Sequence, residues 1–414
     1  MGHNLAQLLQ QQKQPVMLVY PGETAENLGA ETWQINPSRV EDFESLFAEN
    51  LAAKNVSFKG IIYLWSLDVF PAQELSFSNL MSSQKLVCGS ALYLVQSLAQ
   101  YRQSVLPRLW LATRGAMPVQ EQKSISIAQA SIWGLGKVVA QEHPEFWGGM
   151  IDLDPLAPLD EIDKILAELR DHQGEPNLAF RKGQRYALRI TRKQQIEQIS
   201  PVPVQTDGTY LITGGFGALG LKFAHLLSKL GASHLVLMSR RATPPEYEAN
   251  LESIRKAGAQ VTVVQADVSQ QEDVLRVMQQ IETDLPSLRG IIHTAGVLRD
   301  GVLISQNWDN FVQVIKPKMQ GAWHLHSLTK DIDLDFFILC SSATSFFGSP
   351  GQGNYAAANT FLDALAHYRQ AKGLSGLSIN WGPWAEIGMT ARMDTRDQER
   401  LSVRGLELMK PDYG

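Results

Sequence analysis

The segment LCSSATSFFGSPGQGNYAAANTF (Leu339–Phe361) concentrates the residues best suited to chemistry. A strand-like run ends at paired serines, a Gly/Pro-rich loop follows, and a helical pattern then carries Tyr355 and Asn359. Residues at i and i+4 share a helix face, so this pair can serve one site. Carbonyl reduction needs a hydride donor, a proton donor and a group that polarises the carbonyl. Tyrosine can give the proton, but a phenol with a pKa of about 10 does so at neutral pH only beside a cation. Lys318, in the helical stretch Asn310–Leu325, is a candidate cation, and Lys316 is its nearest rival.

A second pattern supplies a place for the hydride source. TYLITGGFGALG (Thr209–Gly220) reads as strand, glycine turn and helix opening, with Gly215-x-Gly217-x-x-Gly220 preceded by Gly214. Glycines let the backbone approach a pyrophosphate, and the helix N-terminus offers it unpaired N–H donors. A carboxylate about 20 residues further on would favour the ribose diol of NAD, whereas an arginine favours a 2′-phosphate. Here Ser239-Arg240-Arg241 occupies that position, which predicts NADP with Arg240 or Arg241 on the phosphate. IIHTAGV (Ile291–Val297) ends a further strand at a small-residue turn suited to lying flat against a cofactor.

Together the TGGxGxxG turn, the HTAG turn, the SS…YxxxN block and the upstream lysine resemble the short-chain dehydrogenase/reductase superfamily. Within it, the order Lys, Ser, Tyr, then Asn four residues later is similar to ketoreductase domains of polyketide synthases and animal-type fatty acid synthases. The resemblance implies a tetrad of Lys318, Ser342, Tyr355 and Asn359. Tyr355 would give the proton and Ser342 would hydrogen-bond the ketone oxygen. Lys318 would bind the nicotinamide ribose and lower the tyrosine pKa, with Asn359 positioning lysine or a water. The implied NADPH site comprises Gly214, Gly215, Phe216, Gly217, Leu219 and Gly220 of the first turn, Ser239, Arg240 and Arg241, Asp267 and Val268, and Thr294, Ala295 and Gly296, with Lys318 and Tyr355. The implied substrate is a β-ketoacyl chain on an acyl carrier protein, with other polyketide synthase domains as neighbours.

Such ketoreductases also carry marks of hydroxyl stereochemistry. One type has a Leu-Asp-Asp turn after the small-residue motif, with Pro and Asn before the tyrosine; the opposite type has a Trp eight residues before it. This chain has Leu298-Arg299-Asp300, Pro350 and Asn354, with Phe347 at the Trp position. That resembles the B-type and implies a D-configured β-hydroxyl. Residues 382–401, after INWGPW, would form a mobile lid.

The elements that must position these groups alternate strand-like and amphipathic runs, the pattern of an α/β fold with parallel sheets. Strands are expected at Thr209–Thr213, His234–Ser239, Gln260–Ala266, Gly290–Thr294, Phe336–Cys340 and Leu377–Asn380, and helices at Leu219–Leu230 and Gln271–Glu282, the latter capped by Ser269. In the first half, strands are expected at Val16–Tyr20, Gly60–Trp65, Arg108–Ala112, Met150–Leu153 and Arg185–Ile190. GIIYLW (Gly60–Trp65) mirrors GIIHTA (Gly290–Ala295), and RLWLAT (Arg108–Thr113) mirrors FFILCS (Phe336–Ser341), which points to an internal duplication. The expected architecture is two Rossmann-like doubly wound subdomains, a degenerate and truncated structural one at 1–200 and a catalytic one at 201–414, joined through Gln194–Thr206.

The first half has ATRG (Ala112–Gly115) where the second has CSSA, so no tetrad is expected there. QASIWGLGKVVAQEHPE (Gln129–Glu145) resembles the family's structural subdomain and implies scaffolding. By the same resemblance a first strand with its glycine turn, and the last helix and strand beyond PDYG (Pro411–Gly414), are missing.

Composition narrows the alternatives. At 414 residues the chain exceeds one hydrophobic core. A net charge of −5 without a basic stripe gives no footprint for nucleic acid. Two cysteines, Cys88 and Cys340, suggest neither metal nor disulfide framework, and no apolar run spans a membrane. A cytoplasmic, monomeric domain is expected. The competing readings are a stand-alone reductase or epimerase, disfavoured by the degenerate first half, and a silent structural module, disfavoured by the complete tetrad.

Overall fold

The computed structural model describes residues 1–48, 58–101, 106–119, 124–170, 174–192, 203–241, 245–385 and 407–410. Two compact units emerge: Met1–Thr191 with Gly301–Trp308 and Gly348–Ala357, and Arg192–Asp300 with Asp309–Phe347 and Ala358–Gly414.

In the first unit β1 (Leu18–Pro21), β2 (Glu26–Gly29) and β3 (Thr32–Ile35) form a small sheet of order β1-β3-β2. A second sheet runs in sequence order through β4 (Gly60–Tyr63), β5 (Arg108–Arg114), β6 (Trp147–Leu153), β7 (Asn177–Arg181) and β8 (Gln184–Ala187). Its first pairs are parallel, and β7–β8 is an antiparallel hairpin. That hairpin turns on Lys182 and Gly183, both with positive φ (49° and 79°), the conformation that matches strand twist in two-residue loops. β6 is buried along its whole length, as is the face of the helix Ile127–Glu142 that covers the sheet.

In the second unit β9 (Thr209–Thr213), β10 (His234–Ser239), β11 (Gln260–Gln265), β12 (Leu288–His293), β13 (Phe336–Ser342) and β14 (Leu377–Trp381) pair in the order β11-β10-β9-β12-β13-β14, all parallel. This is the doubly wound dinucleotide-binding order, whose direction of winding reverses between β9 and β12. Ligands in such sheets bind at the carboxyl ends beside that reversal, where the glycine turn and the HTAG turn both lie. Central strands covered on both faces must be apolar throughout, which is why TYLIT is buried at every position.

The duplication is visible in strand register. Gly60 pairs with Arg108 across β4–β5, and Gly290 pairs with Phe336 across β12–β13, so the mirrored segments begin at equivalent rungs.

Several boundaries differ from the sequence expectation. β13 continues to Ser342 and β6 begins at Trp147, while β2, β3 and β7 were not foreseen. Ser269 does not cap its helix: Gln270 is the N-cap, and the Ser269 hydroxyl donates instead to Asp267 Oδ1 at 2.8 Å. The stretch expected as one helix over 310–325 is helix Trp308–Ile315, a π turn Lys316–Gln320, and helix Gly321–Thr329. Pro317 lacks the N–H that a regular turn requires, and the wider turn accommodates it. The expected lid falls beyond residue 385 almost entirely outside the described residues, as do residues 194–202 of the joint and 411–414. Among the described residues no helix is long and apolar enough to cross a membrane, and no cluster is suited to a metal ion.

Candidate active site

At the switch point of the second unit lies a cavity of about 310 Å³ lined by Gly214, Phe216 and Gly217, by Ser239, Arg240 and Arg241, by Asp267 and Val268, and by Thr294, Ala295 and Gly296. Gly214 has φ +67°, and a Cβ there would sit 2.7 Å from Thr294 Oγ1 and 2.9 Å from the Ala295 nitrogen. The two turns are thus in backbone contact, tied further by the Thr294 hydroxyl donating to the Thr213 carbonyl at 2.7 Å. Gly217, which lines the cavity, is the N-cap of helix Ala218–Lys229 and offers no side chain to cap its first N–H groups.

Of the residues expected to touch the cofactor, Gly215, Leu219, Gly220, Lys318 and Tyr355 do not line the cavity. Gly215 packs on Leu237, whose Cα a Cβ would approach to 3.0 Å, and a Cβ on Gly220 would lie 2.5 Å from the Gly214 carbonyl. These two glycines let helix and strand pack closely and so shape the turn.

Arg240 and Arg241 are exposed at the end of β10, and among the described residues neither guanidinium has an ion-pair partner. Asp267 accepts from the Ser269 N–H and hydroxyl, which fixes its carboxylate at the rim beside Val268.

Lys318 lies on the π turn, 3% exposed, and donates to the Cys340 carbonyl at 2.8 Å. Its Cε would lie 3.0 Å from a Cβ on Gly296, so the stem of this lysine runs directly beneath the HTAG turn. Burial pulls its pKa down to about 8, with the Cys340 thiol and Asp363 carboxylate opposing. Lys316, its rival by sequence, is exposed, whereas Lys318 is buried; neither lines the cavity itself. His293, the last residue of β12, pairs through Nδ1 with Thr213 Oγ1 at 2.7 Å, and burial drives its pKa down to about 3. A neutral ring therefore braces β12 against β9.

Ser342 ends β13, half-buried, and its Oγ accepts from the Thr344 N–H at 3.3 Å. Tyr355 stands in the first turn of helix Gly353–Ala371, half-buried, and the fully buried Asn359 follows one turn later. The Asn359 carbonyl accepts from Ser341 Oγ at 3.2 Å, joining that helix to β13. The boundary between the two units crosses this helix after Ala357. Leu298 is half-buried, Arg299 and Asp300 are exposed, and Arg299 turns away to hydrogen-bond Gln313 at 2.7 Å. Phe347 is 51% exposed at the end of the short helix Thr344–Phe347. Pro350 and Gly351 are the central pair of a turn closed by Gln352 N–H on the Ser349 carbonyl at 3.0 Å, and Asn354 is buried with its Oδ1 on the Tyr355 N–H.

Residues 208–386 match the KR domain family, and residues 25–190 match the Rossmann-fold domain of the polyketide synthase extender module SpnB. Polyketide synthase GfsB of Streptomyces halstedii is 38% identical over 315 residues, 73% of this chain but 6% of that protein. A solved structure of A-type ketoreductases from a modular polyketide synthase is 31% identical, covers 93% of this chain and 79% of its own, and superposes with a TM-score of 0.82. The first ketoreductase of the tylosin polyketide synthase is likewise 31% identical, with coverage of 99% and 82% and a TM-score of 0.80. The chain belongs to the ketoreductases of modular polyketide synthases.

Ketoreductases are oxidoreductases that bind a nicotinamide cofactor, and the cavity fits such a group. Gly214 and Gly217 line it at the N-terminus of helix Ala218–Lys229, a Cβ on Gly214 would collide with Thr294 and Ala295, and two arginines with no ion-pair partner among the described residues stand at the rim. In this ketoreductase the sequence reading missed Thr213, Met238, Glu246, Tyr247, Ala266, Val297 and Pro317 among the lining residues. Tyr247 stacks on Phe216 with ring centroids 5.4 Å apart, forming one wall. No periodicity marks it, because it sits in a single turn of 3-10 helix, Pro245–Tyr247. The motif search also passed over Asp363, two turns after Tyr355. Its carboxylate accepts from Ser345 Oγ at 2.6 Å, Ser378 Oγ at 2.5 Å and Asn380 Nδ2 at 2.8 Å, clamping β14 and the segment after Ser342 to the helix.

Proposed function

We propose that this chain reduces the β-keto group of an acyl chain, held as a thioester on an acyl carrier protein, to a D-configured β-hydroxyl with NADPH as cofactor. Residues 1–200 serve as the structural subdomain and 201–414 as the catalytic one, within a larger synthase whose other domains are its neighbours. The observation that carries the reading is the seat of Lys318: its ammonium is buried between Gly296, on the cavity wall, and the Cys340 carbonyl, two residues before Ser342.

The residues named for the cofactor divide by chemistry. Gly214, Gly217 and the helix N-terminus hold the pyrophosphate, Arg240 and Arg241 the 2′-phosphate, Asp267 and Val268 the adenine side, and Gly296 with Lys318 the nicotinamide ribose. When bound, the reduced nicotinamide supplies a hydride to the β-carbon. Tyr355 gives its phenolic proton to the ketone oxygen, and the Ser342 hydroxyl donates a hydrogen bond to that same oxygen. Lys318 is charged below pH 8, and its field favours the phenolate that Tyr355 leaves behind. Asn359, one turn from Tyr355, positions Lys318 or the water that returns the proton.

The B-type assignment rests on Leu298 and Asp300, on Pro350 and Asn354, and on Phe347 in place of tryptophan. The test is a binding comparison: NADPH should quench tryptophan fluorescence at lower concentration than NADH, and equal affinity would overturn the 2′-phosphate site.

A further inference from the structure

Glu142 is the last residue of helix Ile127–Glu142, where the dipole carries its partial negative charge and a carboxylate is disfavoured. Its two oxygens are both engaged. Oε2 accepts from the Leu303 N–H at 2.6 Å and Oε1 from the Gly351 N–H at 2.7 Å. Both donors are ones that local structure leaves open. Leu303 opens a turn of 3-10 helix, whose first N–H groups have no internal acceptor. Gly351 has φ +83° behind Pro350, the third position of a type II turn, whose own N–H is not used in closing it.

The two segments also bond each other, Gly301 N–H to the Gly351 carbonyl at 2.8 Å. Gln96, 8% exposed, adds a second fastening by donating to the Leu303 and Gln306 carbonyls at 2.9 and 2.7 Å. A Cβ on Gly348 would lie 2.8 Å from the Lys137 carbonyl, so this part of the loop presses on the same helix. One segment begins directly after Asp300, and the other runs through Pro350 into the turn that starts the Tyr355 helix, with Ala356 N–H on the Gln352 carbonyl at 2.8 Å. All of these residues except Asp300 belong to the first unit.

We infer that Glu142 is a positioning residue: by holding Leu303 and Gly351 it fixes the approach of Asp300 and the start of the Tyr355 helix, and so which face of the ketone is reduced. The inference rests on the reduction proposed above, and it gives the half of the chain without a tetrad a part in stereochemical outcome.

The test uses the full chain, NADPH and the N-acetylcysteamine thioester of a β-ketoacid. Wild type, Glu142→Gln and Glu142→Ala are compared for kcat, KM, NADPH affinity and product enantiomer ratio. Glu142→Gln keeps one acceptor oxygen and turns an NH2 toward the other donor. It should lower kcat on the order of tenfold to a hundredfold and erode the enantiomer ratio, while NADPH affinity stays as in wild type. An unchanged ratio in a folded Glu142→Gln protein would overturn the inference, and so would a loss confined to thermal stability. If Glu142→Ala does not fold, Glu142→Gln alone decides. Absence of turnover in wild type would remove the reading itself, and the inference with it.

Discussion

Lys318 Nζ donates to the Cys340 carbonyl at 2.8 Å from within a π turn, which ties the candidate cation to the strand that delivers Ser342. Burial lowers its pKa to about 8, while Asp363 and the Cys340 thiol raise it and neutral His293 faces it from β12. The ammonium is therefore present below pH 8 and lost as pH rises through that value. A pH–rate profile of kcat should fall on its alkaline side near 8. Lys318→Met should lose about a hundredfold in kcat and abolish that limb. A flat profile to pH 10 in wild type would remove Lys318 from the chemistry.

Arg240 and Arg241, exposed and without an ion-pair partner among the described residues, predict cofactor choice. Each charge-assisted bond to a 2′-phosphate is worth about 1.5–3 kcal/mol, so replacing both with alanine should raise KM for NADPH at least ~tenfold. KM for NADH should change little, and steady-state kinetics with both cofactors reads the difference.

Gly214 predicts a stability effect. Alanine there meets a φ of +67° and a contact of 2.7 Å with Thr294 Oγ1, both unfavourable. Gly214→Ala should destabilise by about 1–3 kcal/mol in denaturant titration and weaken nucleotide binding in parallel.

The Asp363 clamp predicts a second. Asp363→Ala removes the acceptor shared by Ser345, Ser378 and Asn380; Ser345 and Asn380 keep bonds to the Ser341–Ser345 segment, and the loss should cost about 1–3 kcal/mol. It should also lower kcat, because the segment that follows Ser342 loses its anchor to the Tyr355 helix. Urea unfolding and turnover measured on the same preparation check both effects.

Acid should destabilise the second unit through its buried histidines. His293 and His326 are both driven from 6.5 to about 3, chiefly by burial. The unfolded chain then takes up protons that the native state refuses, so stability is full above pH 6.5 and is lost as pH falls toward 3. The slope is about 1.4 kcal/mol per pH unit for each such histidine, and His293→Gln should remove about that much of it in equilibrium unfolding across that range.

The six-stranded sheet of the second unit was legible in the sequence because its strands are covered on both faces and read as apolar runs, TYLIT and HLVLMS being examples. β2 was not, since ENLG is exposed at every residue and has neither alternation nor an apolar run. The glycine turn was legible as a whole, but its division of labour was not. Whether Gly215 faces a ligand or Leu237 depends on how a neighbouring strand packs, which no local pattern encodes. Ser269 was misread because its hydroxyl found a partner two residues back rather than in the helix ahead. Glu142 was beyond reach for a different reason: its partners lie 161 and 209 residues away, and only the folded chain brings them to it.

The central claim is tested most directly by Tyr355→Phe, which deletes one oxygen from a half-buried ring near the start of a helix. NADPH consumption with a β-ketoacyl N-acetylcysteamine thioester is followed for wild type and variant, with chiral analysis of the product. Wild type should give the D-hydroxyacyl product, and Tyr355→Phe should bind NADPH normally yet turn over at least ~100-fold more slowly. Turnover retained in Tyr355→Phe, or its absence from a folded wild type that binds NADPH, would contradict the account.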